Sequence, residues 1–190
     1  MNPLKHCLGL FAVLGNWPNW ESYFDLSRRG LKFSFVALLA SLLPLWLIAF
    51  AVQVERATRP EIDFVPVAVL PFAIVAGLWL LSFSALAYLI MMIFDRMDRT
   101  RAWIITRHWA VFVLSLISAL AFAAYLHLGL PFAAANGVAF AAYLGLLAGD
   151  VRLAQKVAGF AWGRAVLLAC VIVAVGLTLI MLSLNQLMGS

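Results

Sequence analysis

Arg107 and His108 stand next to each other inside an apolar run, and Asn136 stands inside another. Arg107 lies about six residues past the start of its run, roughly 9 Å in at 1.5 Å per residue. A guanidinium at that depth could bind an anionic head group or substrate. Alternatively it reaches back to the membrane surface, toward Asp95 or Asp98. His108 could relay a proton or hold a ligand. No second His, Cys or carboxylate stands at a metal-ligand spacing from it, so no metal is predicted. Asn136 sits a turn inside its run, beside Gly137. A hydrogen bond to a neighbouring helix is its favoured role, with ligand binding as the alternative. His127 reads as an interfacial residue.

No catalytic residue and no cofactor is predicted. The chain has no HExxH, GxSxG, phosphate-binding loop or CxxC motif. Its eight carboxylates all read as loop or span-end residues. The polar residues at mid-depth are Ser41, Ser82, Ser84, Ser115, Ser118, Asn136, Cys170 and Thr178, most of them suited to helix packing. Ion-coupled carriers usually need an ionisable group at that depth. This reading therefore counts against coupled transport.

The elements that position these residues follow from composition. Apolar residues make up 66% of the 190, charged residues only 11%, and mean hydropathy is +1.04. A soluble domain carries about a quarter charged residues. Apolar runs of about 20 residues or more cross a bilayer. The expected fold is all-α: a polytopic helical bundle of five spans, at about 31–53, 70–94, 102–127, 131–149 and 161–187. Residues 1–30 form a cytoplasmic or interfacial segment before this single domain of 31–190. Within that segment, Lys5 and His6 precede a short apolar run, Cys7 to Gly15. No small-x-small cleavage site follows it, so it reads as interfacial rather than as a signal peptide. Trp17, Trp20 and Tyr23 would sit at head-group level.

Local signals refine the spans. Asp25 or Ser27 is a candidate N-cap for the first. Pro44 should kink it, with Ser41 satisfying a freed backbone group. The second apolar run, Phe64 to Phe94, is too long for one straight span. Pro66 and Pro71 set the true start near Leu70. Asp95 and Arg99 are spaced for an i,i+4 pair if helix continues through the charged turn. The very short connection 128–131 makes spans three and four antiparallel neighbours. Gly137, Ala141, Gly145 and Gly149 recur every four residues on span four, and Ser115, Ala119 and Ala123 on span three. These small stripes are expected to pack together, with a dimer across the span-four stripe as the rival. Trp46 and Trp79 read as deep residues, and Trp103, Trp109 and Trp162 as belt residues. Cys7 and Cys170 lie at different levels and are not expected to pair.

Charge gives the orientation. Eleven of the 13 Lys and Arg residues fall on the N-terminal side of a five-span topology, leaving Arg56 and Arg59 opposite. The positive-inside rule puts the N-terminus in the cytoplasm and the C-terminus outside, in a bacterial inner membrane. A re-entrant 131–149 segment would instead give an 8 to 5 split. The basic loops would meet the lipid bilayer and its anionic lipids, not nucleic acid. Five spans, together with the stretch Tyr23-Phe24-Asp25-Leu26-Ser27-Arg28-Arg29-Gly30, resemble Yip1-domain membrane proteins and similar small bacterial membrane proteins. That resemblance implies membrane organisation without catalysis and carries over no functional residue. The expected function is an accessory, assembly or membrane-organising subunit, not an enzyme. It would act through contacts with lipid, with other membrane subunits or with itself. A small transporter or channel subunit is the alternative. A lipid-modifying enzyme using Arg107, His108 and the cytoplasmic aspartates is the weaker one.

Overall fold

Ser27 opens the first long helix in the computed structural model, which describes residues 3–58 and 68–188, with side chains up to 182 except residue 180. The Ser27 side chain accepts hydrogen bonds from the amides of Arg29 and Gly30, both at 3.2 Å. Asp25 in turn accepts from the Ser27 amide at 3.0 Å. The Ser27 hydroxyl and amide hold the Asp25 carboxyl below the usual carboxylate range. Gly30 lies so close to the Asp25 carbonyl that a Cβ there would overlap it. The stretch 23–30 is thus a capping turn in which the Asp25 and Ser27 side chains both accept from backbone amides.

The described helices are α1 (Pro3–Leu14), α2 (Arg28–Ala40), α3 (Leu42–Ala57), α4 (Val69–Ile93), α5 (Met97–Leu128), α6 (Phe132–Lys156) and α7 (Trp162–Met188). A 3₁₀ turn, Trp20–Tyr23, follows α1. No strand occurs among the described residues. Five helical stretches are long and apolar enough to cross a membrane, α2 and α3 forming one of them. Large apolar side chains cover the outside, among them Leu43, Leu70, Ile93, Phe140 and Leu167. That surface suits hydrocarbon, and the chain reads as a multi-pass membrane protein.

Each break has a local cause. Pro44 offers no amide to the Ala40 carbonyl, and the helix breaks one turn upstream, at Ser41. The Ser41 hydroxyl bonds the Ala37 carbonyl at 3.1 Å. Pro71 occupies the third position of α4, where an amide is dispensable. Gly129, at φ 73°, ends α5, and the Leu130 amide reaches back to Ala124 at 3.3 Å. Gly159, at φ 74°, turns the chain after α6 and leaves room for an Arg96 nitrogen where a Cβ would stand, 2.6 Å away.

Helix α5 is the hub. It packs against α1, α2, α3, α4 and α6, while α7 lies against α4 and α6. It begins at Met97 and α6 runs on to Lys156, so both outrun the apolar spans expected at 102–127 and 131–149. Asp150 and Arg152, just past the fourth apolar run, are therefore helical. Asp95 has φ 53° and sits in the turn. Helix does not continue through it, and Arg99 pairs loosely with exposed Asp98 instead, at 3.9 Å. Residues 59–67, including Pro66, lie outside the described residues.

The small-residue stripes do not meet. Gly137 and Gly145 have nothing within 4 Å of where a Cβ would stand, and Ala141 is exposed. Helix α6 faces α5 with another row: Ala135 clusters with Phe122, and Ala139, Ala142 and Leu146 border Ser115 and Ser118. A four-residue row drifts about 40° per step on a 3.6-residue helix. Only its last member, Gly149, has drifted far enough to be buried. Ala119 and Ala123 face α3 instead, beside Pro44 and Leu47. Trp103 and Trp109 are buried core residues rather than belt residues, whereas Trp162 is exposed.

Candidate functional site: a buried polar seam on α5

Helix α5 turns about 100° per residue, so adjacent Arg107 and His108 point to different neighbours. Arg107 points to α6. Its Nε donates to Asp150 Oδ1 at 2.7 Å, and Nη2 donates to Oδ2 at 3.1 Å. This is the two-pronged carboxylate geometry that Arg favours. The side chains are 7% and 1% exposed, which makes the ion pair a core feature. The guanidinium also lies over Phe83 of α4, 4.1 Å from the ring centre.

His108 is fully buried and points between α2 and α4. Its Nδ1 lies 3.0 Å from Ser34 Oγ and its Nε2 lies 2.8 Å from Ser84 Oγ. The Ser34 hydroxyl donates its proton to the Leu31 carbonyl at 2.8 Å, so toward His108 it accepts. This assigns the proton to Nδ1 and leaves Nε2 to accept from Ser84. Phe35 meets the ring edge-on at 4.7 Å. Two consecutive residues of α5 therefore tie α2, α4 and α6 to it.

A cavity of about 60 Å³ adjoins the ion pair between α4, α6 and α7, bordered by Trp79, Tyr143, Val173 and Leu177. Arg107 Nη1 takes no hydrogen bond among the described residues. The cavity, with Arg107 and Asp150 in its wall, has room for about two waters. No group of three or more His, Cys, Asp and Glu residues with metal-holding geometry occurs among the described residues.

Arg107, expected to reach Asp95 or Asp98, pairs with Asp150 instead. Asp150, expected in a loop or at the end of span four, is a buried residue of α6. The signal was in the spacing. Arg107 stands 22 residues before Gly129 and Asp150 stands 21 after it, so an antiparallel hairpin puts them level. Ser34 was also missed. Asn136 is exposed on α6 and bonds nothing among the described residues. It does not join Arg107 and His108. Ser82, Ser115, Ser118 and Thr178 each donate to a carbonyl of their own helix. His127 is exposed in the last turn of α5.

The arginines at this end of the bundle close turns. Arg96 Nη1 donates to the Gly159 carbonyl at 2.7 Å and to that of Ala158 at 3.2 Å. Arg99 reaches Val157 at 3.5 Å and Arg101 reaches Leu26 at 3.3 Å. At the opposite end, the Tyr125 hydroxyl donates to Glu55 at 2.9 Å and joins α5 to α3. No protein-family model, no curated protein and no solved structure matches the chain.

Proposed function

We propose that this chain is a non-catalytic membrane component, an accessory, assembly or membrane-organising subunit that works through its helix faces and lipid contacts. One observation carries the reading. The strongest polar groups of the core, Arg107, Asp150, His108, Ser34 and Ser84, are bonded to one another across helices. They hold the bundle together. What remains to engage a partner is the outside, where α6 presents Gly137, Ala141 and Gly145 beside the unbonded amide of Asn136. Small residues there let another helix backbone approach, and the amide would gain a hydrogen bond. A membrane-organising role of the Yip1-domain kind and placement in a bacterial inner membrane agree with this reading and belong to the proposal.

Purification in mild detergent tests it. The chain should run as a homo-oligomer or within a larger complex, and Gly145→Leu should reduce the assembly while the helix content stays. Monomers alone, together with solute uptake in proteoliposomes, would overturn it. The small cavity beside Arg107 and Asp150 favours a second reading, a transporter or channel subunit. In that case the same uptake assay is positive and Asp150→Asn abolishes it.

A further inference from the structure

Helix α1 is two-faced. His6, Leu10 and Val13 point into the bundle, whereas Leu4, Leu8 and Phe11 are exposed. It lies across α5 and α6. Its C-terminal half roofs an apolar cavity of about 170 Å³, with Leu10, Phe11 and Leu14 above Val113, Leu114 and Leu146. A wholly apolar space of this kind excludes water.

The contact at the other end of α1 is unusual. The His6 ring is 4% exposed. It stacks on Trp109 of α5, centres 4.4 Å apart at 29°, and on Phe24, 5.6 Å apart at 20°. Neither ring nitrogen has a hydrogen-bond partner, and the Trp109 indole nitrogen against it has none either. The docked helix thus keeps three unsatisfied buried polar atoms at its only imidazole. Buried polar groups normally find partners. An imidazole closed in on two aromatic faces, with no acceptor in bonding geometry, is suited to remain docked only while neutral.

We propose that α1 is a proton-released lid, with His6 as the latch that holds it over the α5–α6 cavity. Protonation puts a charge with two N–H donors into a slot that offers no acceptor in bonding geometry. The lid then lifts, the ring reaches water, and the cavity opens to apolar groups of the surrounding bilayer. The chain allows this motion. Between Leu14 and the 3₁₀ turn run Gly15 and Asn16, the latter at φ 64°. Beyond that turn the chain is fixed, with Leu26 held by Arg101. Phe24 and Tyr23 press on Gly9, where a Cβ would meet them at 2.6 and 2.7 Å, so α1 docks as a unit.

The charged surroundings agree with release on acidification. Burial pushes the His6 ring below its ordinary value of 6.5. The Tyr23 carbonyl, at the end of the 3₁₀ turn, and the Asp25 carboxylate just past it pull the other way, while Lys5 on α1 adds to the lowering. From α5 the ring faces Trp109. Because the docked ring binds its proton more weakly than the free one, docking is at full strength above about 6.5. It weakens as pH falls below that value, by up to tenfold per unit for one proton.

Cys7 is a built-in reporter, half-buried on α1. In nanodiscs carrying the full chain with Cys170→Ala, maleimide labelling of Cys7 is compared with the same protein bearing His6→Phe. The ratio at each pH cancels the thiol's own titration. It should be near one at pH 8 and rise by up to about tenfold per unit below 6.5. A ratio unchanged from pH 8 to pH 5 overturns the proposal. A nitroxide at exposed Leu8, with Cys7→Ser and Cys170→Ala, gives a readout that does not need the Phe variant to fold. Its spectrum should sharpen between pH 8 and pH 5. If it stays broad at pH 5, Trp109 holds the charged ring by its π face and the latch does not exist.

Discussion

Removing Asp150 should be the most damaging single truncation of a polar side chain in the described bundle. Asp150→Ala leaves the Arg107 guanidinium in a site where its side chain is 7% exposed. Two unit charges about 4 Å apart interact by roughly 4 kcal/mol at an effective dielectric of 20. Breaking a buried pair from one side typically costs about 3–5 kcal/mol. The Phe83 face, 4.1 Å away, remains and offsets up to about 2 kcal/mol of that when desolvated. A net loss of about 1–5 kcal/mol is therefore expected. Asp150→Asn keeps one acceptor for the guanidinium, and a hydrogen bond to a charged group contributes about 1.5–3 kcal/mol, so its loss should be about half as large. The double change Arg107→Met with Asp150→Leu removes both charges and should return to within about 1 kcal/mol of the parent. Equilibrium unfolding of the full chain in mixed micelles, followed by circular dichroism, gives all four values. A cost below about 1 kcal/mol for Asp150→Ala would mean that Arg107 reaches water by itself. A double variant as weak as the single one would refute the charge argument and leave packing as the cause.

Ser84→Ala strips His108 Nε2 of its donor and Ser34→Ala strips Nδ1 of its acceptor, at 2.8 and 3.0 Å respectively. Each should cost about 1–3 kcal/mol, the range for a buried polar atom left unmade, and the same unfolding series reads it. The two losses should be sub-additive, since both act through one ring. The proposed orientation has its own check. A phosphatase fused after the C-terminus should be active, since that enzyme needs the outside compartment, and a fluorescent protein fused there should be dark. The reverse pair of results would invert the charge argument.

The architecture was legible where the signal is local. Apolar run length marks five stretches long enough to span, because a bilayer sets that length. Ser27 opens α2 because its hydroxyl is the nearest acceptor for two orphan amides. Pro44 announced the break, although the break falls at Ser41, one turn before it. Packing was less legible. Counting Gly137, Ala141, Gly145 and Gly149 every four residues hides the 3.6-residue period, and the inward row turned out to be Ala135, Ala139, Ala142 and Leu146. Trp103 and Trp109 look like belt residues on α5 alone. Phe83 and Phe160 bury the first, and His6 helps cover the second. Those partners come from elsewhere in the chain, and no window on α5 contains them. The Arg107–Asp150 pair is a different case, since the tight turn at 129–131 already set the register. Ending α6 at Gly149, where hydropathy falls, left Asp150 in a loop.

That misplaced residue reverses one argument about function. A lack of carboxylates within the spans speaks against ion-coupled transport, and on that count the chain looked empty. With Asp150 in α6 it is not. The pair is net neutral, and both carboxylate oxygens are taken by Arg107. A carboxylate that serves a coupled carrier must exchange its partner for a proton or an ion during the cycle. Here such an exchange would leave Arg107 uncompensated inside the bundle, at the cost worked out above. The adjoining space of about 60 Å³ suits water better than a solute that could replace the carboxylate. The case against coupled transport therefore no longer rests on a missing carboxylate. It rests on how firmly Asp150 is held, and the difference between Asp150→Ala and the double variant measures that hold. A large difference favours a staple within a membrane-organising bundle, and an Asp150→Ala cost below about 1 kcal/mol, with Arg107 reaching water by itself, favours a carrier.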